Sequence, residues 1–345
     1  MPSRLTSAAL VATLLTACGD PATDERPGDG QATAGGEEAA EAPLDWATLI
    51  PIETEGIVRI DLARLRRSPH HDALMPAFEG MSEELGDPGL REHFDSLIQR
   101  TEVVLLAMLP ELPGREREMV VLARGDYRPD EIERLNAVSE APEASVPVEV
   151  RGHEVWVDRD PAEPIALAQI RPGTLALTSS LERMDRLLAR TRMEASGPRW
   201  PPAIRGLVED ATLGEATLAI AMSRRSLGDD GPAGLSMALA GRADLDGPLD
   251  VEVRLEFESP AMATAAAVIF EGLIERMARA PVGTGVALRQ LVSLARIEAR
   301  GTQVVGSLHA DAATAEDLVP ALVQLLSDGD GPADEAPARP PTPPV

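Results

Sequence analysis

The sequence predicts an α+β protein built from antiparallel sheets with helices packed on one face. Three observations carry that expectation. Short apolar stretches recur in pairs, joined by tight turns such as Arg151-Gly152 and Arg171-Pro172-Gly173, which are hairpin signals. Helix-start signals follow strand pairs instead of alternating with single strands, which argues against a parallel sheet. Finally, the order strand, helix, two strands, helix occurs in 55–138 and again in 250–326, which predicts an internal duplication of that unit.

The elements follow in order. Residues 56–62 alternate as a strand, and Ser68-Pro69 opens a helix, with Ser at the N-cap and Pro at the first helical position. Residues 102–109 and 117–125 are apolar strands, and 129–138 reads as a helix. Residues 146–150 and 153–158 form a hairpin, as do 165–170 and 174–178. Ser179-Ser180-Leu181-Glu182 is a capping box for a helix to about Met193, with Leu181, Met184, Leu187 and Leu188 on one face. Residues 235–245 and 250–258 are strands, and Ser259-Pro260 starts a long helix to about Arg279. That helix is apolar almost without break. Its length suits a core helix better than a membrane span, which places Ile269 and Phe270 inside. Strands at 295–300 and 302–310 bracket Gly301, and 313–326 closes as a helix.

Composition limits the chemistry. The chain has 345 residues, 57 acids against 32 basic residues, and a formal charge of −25. That balance excludes a phosphate-neutralising nucleic-acid footprint. Every basic residue is Arg, which removes the lysine of a P-loop, Schiff bases and Ser–Lys dyads. Aromatics are 2% of the chain, too few for stacking platforms. Five parts are expected: 1–17, a signal; 18–45, an acidic tether; 46–200 and 201–327, two α+β halves; and 328–345, a Pro-rich tail. The tether holds eight acids and one Arg, and the tail six Pro, so neither can bury enough apolar surface to fold.

The first residues point to a location. Arg4 precedes an apolar run from Leu5 to Leu15, and small residues follow, which is the pattern of a secretory signal. Leu15-Thr16-Ala17-Cys18 resembles the lipobox of bacterial lipoproteins, and Cys18 is the one Cys in the chain. The resemblance implies that the signal is cut before Cys18. It also implies that the Cys18 thiol carries a diacylglyceryl group and that the new amine is acylated, with palmitate for example. Two or three chains anchor a protein stably. Gly19 follows Cys18 and Asp is displaced to position 20, so the resemblance implies the outer membrane, facing the periplasm.

Candidate chemistry is sparse. His70-His71-Asp72 offers metal-ligand residue types, but adjacent helical residues diverge from one ion. His153-Glu154 lacks a second His at helical spacing, and Gly283-Thr284-Gly285 lacks the third Gly of a dinucleotide loop. Asp244-x-Asp246-Gly247 lacks the later ligands of a calcium loop. Arg183, Arg186, Arg190 and Arg192 make one helix basic, either as a dock for an acidic partner or as a solvated face; Arg64, Arg66 and Arg67 invite the same two readings. No catalytic, cofactor or metal residue is assigned, and no enzyme is expected. The expected function is a lipid-anchored envelope lipoprotein with a structural or interaction role. The alternatives are a carrier with an apolar pocket between sheet and helices, and a hydrolase with a carboxylate site. The expected partners are the membrane, through Cys18, and an envelope protein or an apolar ligand.

Overall fold

The computed structural model describes residues 49–74, 96–110, 118–138, 145–158, 165–191, 204–205, 216–224, 238–278 and 286–328. Cys18, the tether, the tail after Asp328, His93, Trp46, Trp200, Arg192 and Gly283-Thr284-Gly285 lie outside these residues. Twelve strands are described: β1 (Gly56–Asp61), β2 (Thr101–Met108), β3 (Met119–Gly125), β4 (Ser145–Val150), β5 (His153–Asp158), β6 (Ala166–Arg171), β7 (Thr174–Thr178), β8 (Leu218–Met222), β9 (Ala238–Asp244), β10 (Leu249–Glu256), β11 (Ala295–Arg300) and β12 (Gln303–Ala310). The helices are α1 (Leu62–Arg67), α2 (Glu131–Val138), α3 (Leu181–Thr191), α4 (Pro260–Ala278), α5 (Val286–Leu294) and α6 (Ala312–Asp328).

All twelve strands join one antiparallel sheet, in the order β11-β12-β10-β9-β8-β1-β2-β3-β7-β6-β5-β4. The class is α+β. A single sheet replaces the expected separate sheets because β1 and β8 pair directly, with Val58 opposite Ile220. Strands from before residue 200 fill one block, and those from after it fill the other.

Register settles which side chains share a face. Val304 lies opposite Leu255, which lies opposite Leu239, then Met222, then Gly56. Val58 and Ile60 share that face and lie opposite Leu106 and Val104 of β2. On this side Ile60, Val104, Val121 and Leu175 form one apolar cluster, and Leu249, Ala310, Leu318 and Val319 form another. Leu74 and Leu245 pack against both. The opposite face gathers Ile57, Leu105, Leu122, Ala168 and Ala176 under Met184, Leu187 and Leu188 of α3. Helices therefore cover both faces, which corrects the expectation of one. Residues α3 buries were legible, but the face it would bury them against depends on long-range register.

Local chemistry explains the other departures. Asp61 caps α1 by accepting the Arg64 N–H at 2.9 Å, and Ser68 closes that helix as its C-cap. Ser68 was expected to open a helix directly; its Oγ instead donates to the Leu245 carbonyl and accepts the His70 N–H, ahead of a short helical segment at 71–74. Strand β8 reads Leu-Ala-Ile-Ala-Met, and its alanines carry little strand propensity, yet Ala219 and Ala221 are fully buried at the centre of the sheet. Their small size leaves room for Arg59, opposite Ala219, whose guanidinium reaches the Ala216 carbonyl at 2.9 Å and Asp61 at 3.1 Å. The stretches 55–138 and 250–326 differ in strand order: β1-β2-β3 in the first, β10-β12-β11 in the second.

Candidate interaction surface

Helix α4 starts as its sequence dictates. The Ser259 carbonyl accepts the Ala263 N–H at 3.1 Å, and its Oγ lies 3.3 Å from the Met262 N–H. Ala263, Ala266 and Ala267 are buried against Phe257 and Val304, with Leu255, Ile297 and Phe270 packed around them. Their small side chains bring the helix close to β11 and β12. The other flank is uncovered. Val268 is 62% exposed, Ile269 51% and Leu273 48%, and Ala261 and Ala265 are exposed at the same helical spacing. Thr264, Glu271 and Glu275 border that flank on the side of Val268, and exposed Arg276 lies beside Leu273. Ile269 is thus an exposed residue, not the core residue expected, while Phe270 is half-buried. A helix apolar nearly all round has no period from which to choose its inner side. Burying the rest of Val268, Ile269 and Leu273 would contribute roughly 1 kcal/mol each.

Beneath α4 lies the edge of the sheet. Among the described strands β11 pairs with β12 alone. Its Arg296, Glu298, Ala299 and Arg300 are exposed, and it contains neither Pro nor Gly. The far edge, β4, contains Pro147, which cannot donate to an added strand.

The remaining polar clusters look inward. On α3, Arg183 bridges Glu53 and Glu118; burial opposes its charge, but those two carboxylates outweigh burial and raise its pKa. Arg190 donates to the Ile50 carbonyl, and Arg186 pairs with Glu182. Two of these Arg thus strap residues 50–53 onto the sheet, leaving little for an acidic partner. Arg66 likewise donates to the Ile98 carbonyl at 3.0 Å and the Thr101 carbonyl at 2.7 Å. His70 is buried, with Nε2 at 2.8 Å from the Gly247 carbonyl, and His71 lies beside Asp72. Asp244 receives the Asp246 N–H and the Thr217 hydroxyl, as a turn residue does. Trp156 packs on the sheet and donates Nε1 to Glu154 at 2.9 Å.

Two open clefts are lined by described residues. One, of about 520 Å³, is lined by Tyr127, His153, Gln169, Arg171 and Thr191. Burial pushes the Tyr127 hydroxyl up to about 12, and it shares a 2.7 Å hydrogen bond with Thr101. The other, of about 420 Å³, holds Asp244, Asp250, Glu252 and His309, with the His309 ring against Asp250. Among the described residues, no three His, Cys, Asp or Glu side chains converge as a metal site would require. No helix among them is long and apolar enough to cross a membrane. No family model, curated protein or solved structure matches this chain. The uncovered α4 flank above an open sheet edge is the feature that its internal packing leaves unused, and sequence reasoning missed it by placing Ile269 in the core.

Proposed function

We propose that this protein is a lipid-anchored envelope lipoprotein, held by acyl groups on Cys18 in the outer membrane and facing the periplasm, that works by binding protein. The exposed apolar flank of α4 carries the interaction reading. Scattered single apolar residues are normal on a surface, whereas a contiguous stripe beside an open strand marks a contact site. Among the described residues, four clusters of apolar side chains lie between sheet and helices, which favours interaction over carriage of a lipid or solute. We also infer a duplication drawn differently from the sequence expectation. Strands β1-β2-β3-β7-β6 correspond to β8-β9-β10-β12-β11, with β4 and β5 as an added hairpin on the first copy. The same sheet order in both blocks supports this.

Two measurements test the function. Radiolabelled palmitate should enter the wild-type chain and not Cys18→Ser, which should accumulate uncut or soluble; a Ser variant that still matures and partitions fully into detergent would remove the anchor. A photo-crosslinking amino acid at Ile269, irradiated in intact cells, should give a protein adduct. The same residue at exposed Glu133, on α2 in the other block, should give none. No adduct at Ile269 would remove the interaction role.

A further inference from the structure

We propose that the partner is a second copy of this chain: two β11 strands pair antiparallel about a twofold axis centred on Ile297, joining the sheets and bringing the α4 flanks together. This deepens the interaction reading above and rests on it. The backbone comes first. Arg300 and Gln303 face each other across a two-residue turn, with Gly301 at φ +62°. Such a turn makes them a hydrogen-bonded pair, so Arg296, Glu298 and Arg300 direct their N–H and C=O groups at β12. Ala295, Ile297 and Ala299 therefore direct theirs at the open edge. An added antiparallel strand would satisfy all three.

Side chains then choose the register. A twofold between antiparallel strands sets residues of the same face opposite one another, so its centre falls on a residue. Centred on Glu298, it would oppose Glu298 to itself and Arg296 to Arg300. Centred on Arg296, it would oppose two guanidiniums. Centred on Ala299, it would overlap only the end of the strand and run into the Gly301 turn. Centred on Ile297, it sets Arg296 opposite Glu298 of the partner subunit, twice by symmetry, with Ile297 against Ile297 of the partner subunit. Opposite charges facing across a non-hydrogen-bonded pair are favourable, and like charges are not. Arg296 is exposed and has no ion pair among the described residues, while Glu298 is held in place by Arg300 at 2.8 Å.

The fold leaves the same position open. In the first block, β6 is covered by β5; its counterpart in the second block, β11, has no described neighbour on that side. Helix α4 lies over β11 and β12. Strands are spaced ~4.8 Å apart, so a helix half a strand inside the edge would meet its symmetry mate at roughly 10 Å, the distance of packed helices.

The test is native mass spectrometry of the mature full-length protein released from detergent, over a dilution series, with circular dichroism as the fold control. Wild type should give twice the chain mass. Arg296→Glu should raise the dissociation constant about tenfold, because two like-charge pairs replace two opposite-charge pairs. Arg296→Glu combined with Glu298→Arg should restore the dimer. Ala299→Pro, which deletes an edge N–H that β12 does not use, should give monomer. A folded monomeric wild type, or a charge swap that fails to rescue a folded protein, would overturn self-pairing. Crosslinking at Ile269 separates the two readings: monomers with an adduct to a different protein overturn self-pairing alone, and monomers with no adduct overturn both.

Discussion

The carboxylate of Glu131 is 2% exposed and is held by Arg100 through two hydrogen bonds, at 2.6 and 2.7 Å, with the Arg128 N–H at 3.1 Å. The pair is lopsided, since the Arg100 side chain is 25% exposed and also donates to the Ser96 and Asp126 carbonyls, each at 3.2 Å. The hydrogen bonds from Arg100 to Glu131 raise its own pKa, so it stays charged at any ordinary pH. Removing one partner should therefore cost different amounts depending on which is removed. Arg100→Ala leaves a buried anion without its guanidinium, keeping the Arg128 N–H, and should cost about 3 kcal/mol, the lower end for a broken buried pair, because the vacated space admits water. Glu131→Ala leaves a cation that still reaches solvent and two carbonyls, and should cost about 1–2 kcal/mol, including the lost acid in the first turn of α2. For a body of this size those losses correspond to Tm drops of roughly 6–12 °C and 2–8 °C. Urea unfolding followed by circular dichroism, with equal slopes in all variants, gives the free energies, and the double variant gives the coupling. If Glu131→Ala costs as much as Arg100→Ala, or both cost under ~0.5 kcal/mol, the buried-anion reasoning is wrong.

Two further predictions follow from burial. Tyr127 is the single tyrosine, so absorbance at alkaline pH reports it alone; its ionisation should be delayed to about 12 in the folded protein and fall near 10 after unfolding. The folded pKa is raised, so this group's stabilisation is complete below pH 10 and disappears as pH rises through about 12; ionisation near 10 in the native state would contradict the buried hydroxyl. Phe257→Ala, at a side chain 2% exposed under α4, should cost about 3–5 kcal/mol, whereas Ile269→Ala should cost under ~1 kcal/mol in the monomer, and a reversed order in urea unfolding would refute the assignment of the helix faces.

Turn chemistry made most strands legible in the sequence. Arg151-Gly152, Arg171-Pro172-Gly173 and Gly301 bracket hairpins within a residue or two of their observed limits, since only a few residues accept positive φ, as Arg151, Gly152, Gly173 and Gly301 do. What stayed hidden is non-local. Strand β8 carries too little propensity to be read alone, and only its pairing with β1 defines it. That same pairing merges two sheets into one. The return of β12 to sit between β10 and β11 is equally invisible, because β11 and β12 form the same hairpin wherever they dock. Of the candidate surface, the α4 helix was legible and its exposed flank was not, since alanine occurs on both sides of it.

The β1–β8 junction also orders events in time. Strand β1 is made early and finds β2 on one side, but its other neighbour, 218–222, is made only after the whole first block. Until then the β1 edge, with Val58 and Ile60 beside it, is an unpaired apolar template of the kind that invites association with other chains. Loop closure over so long a separation is slow. A growing chain thus has an interval in which its centre, not its rim, is the vulnerable strand.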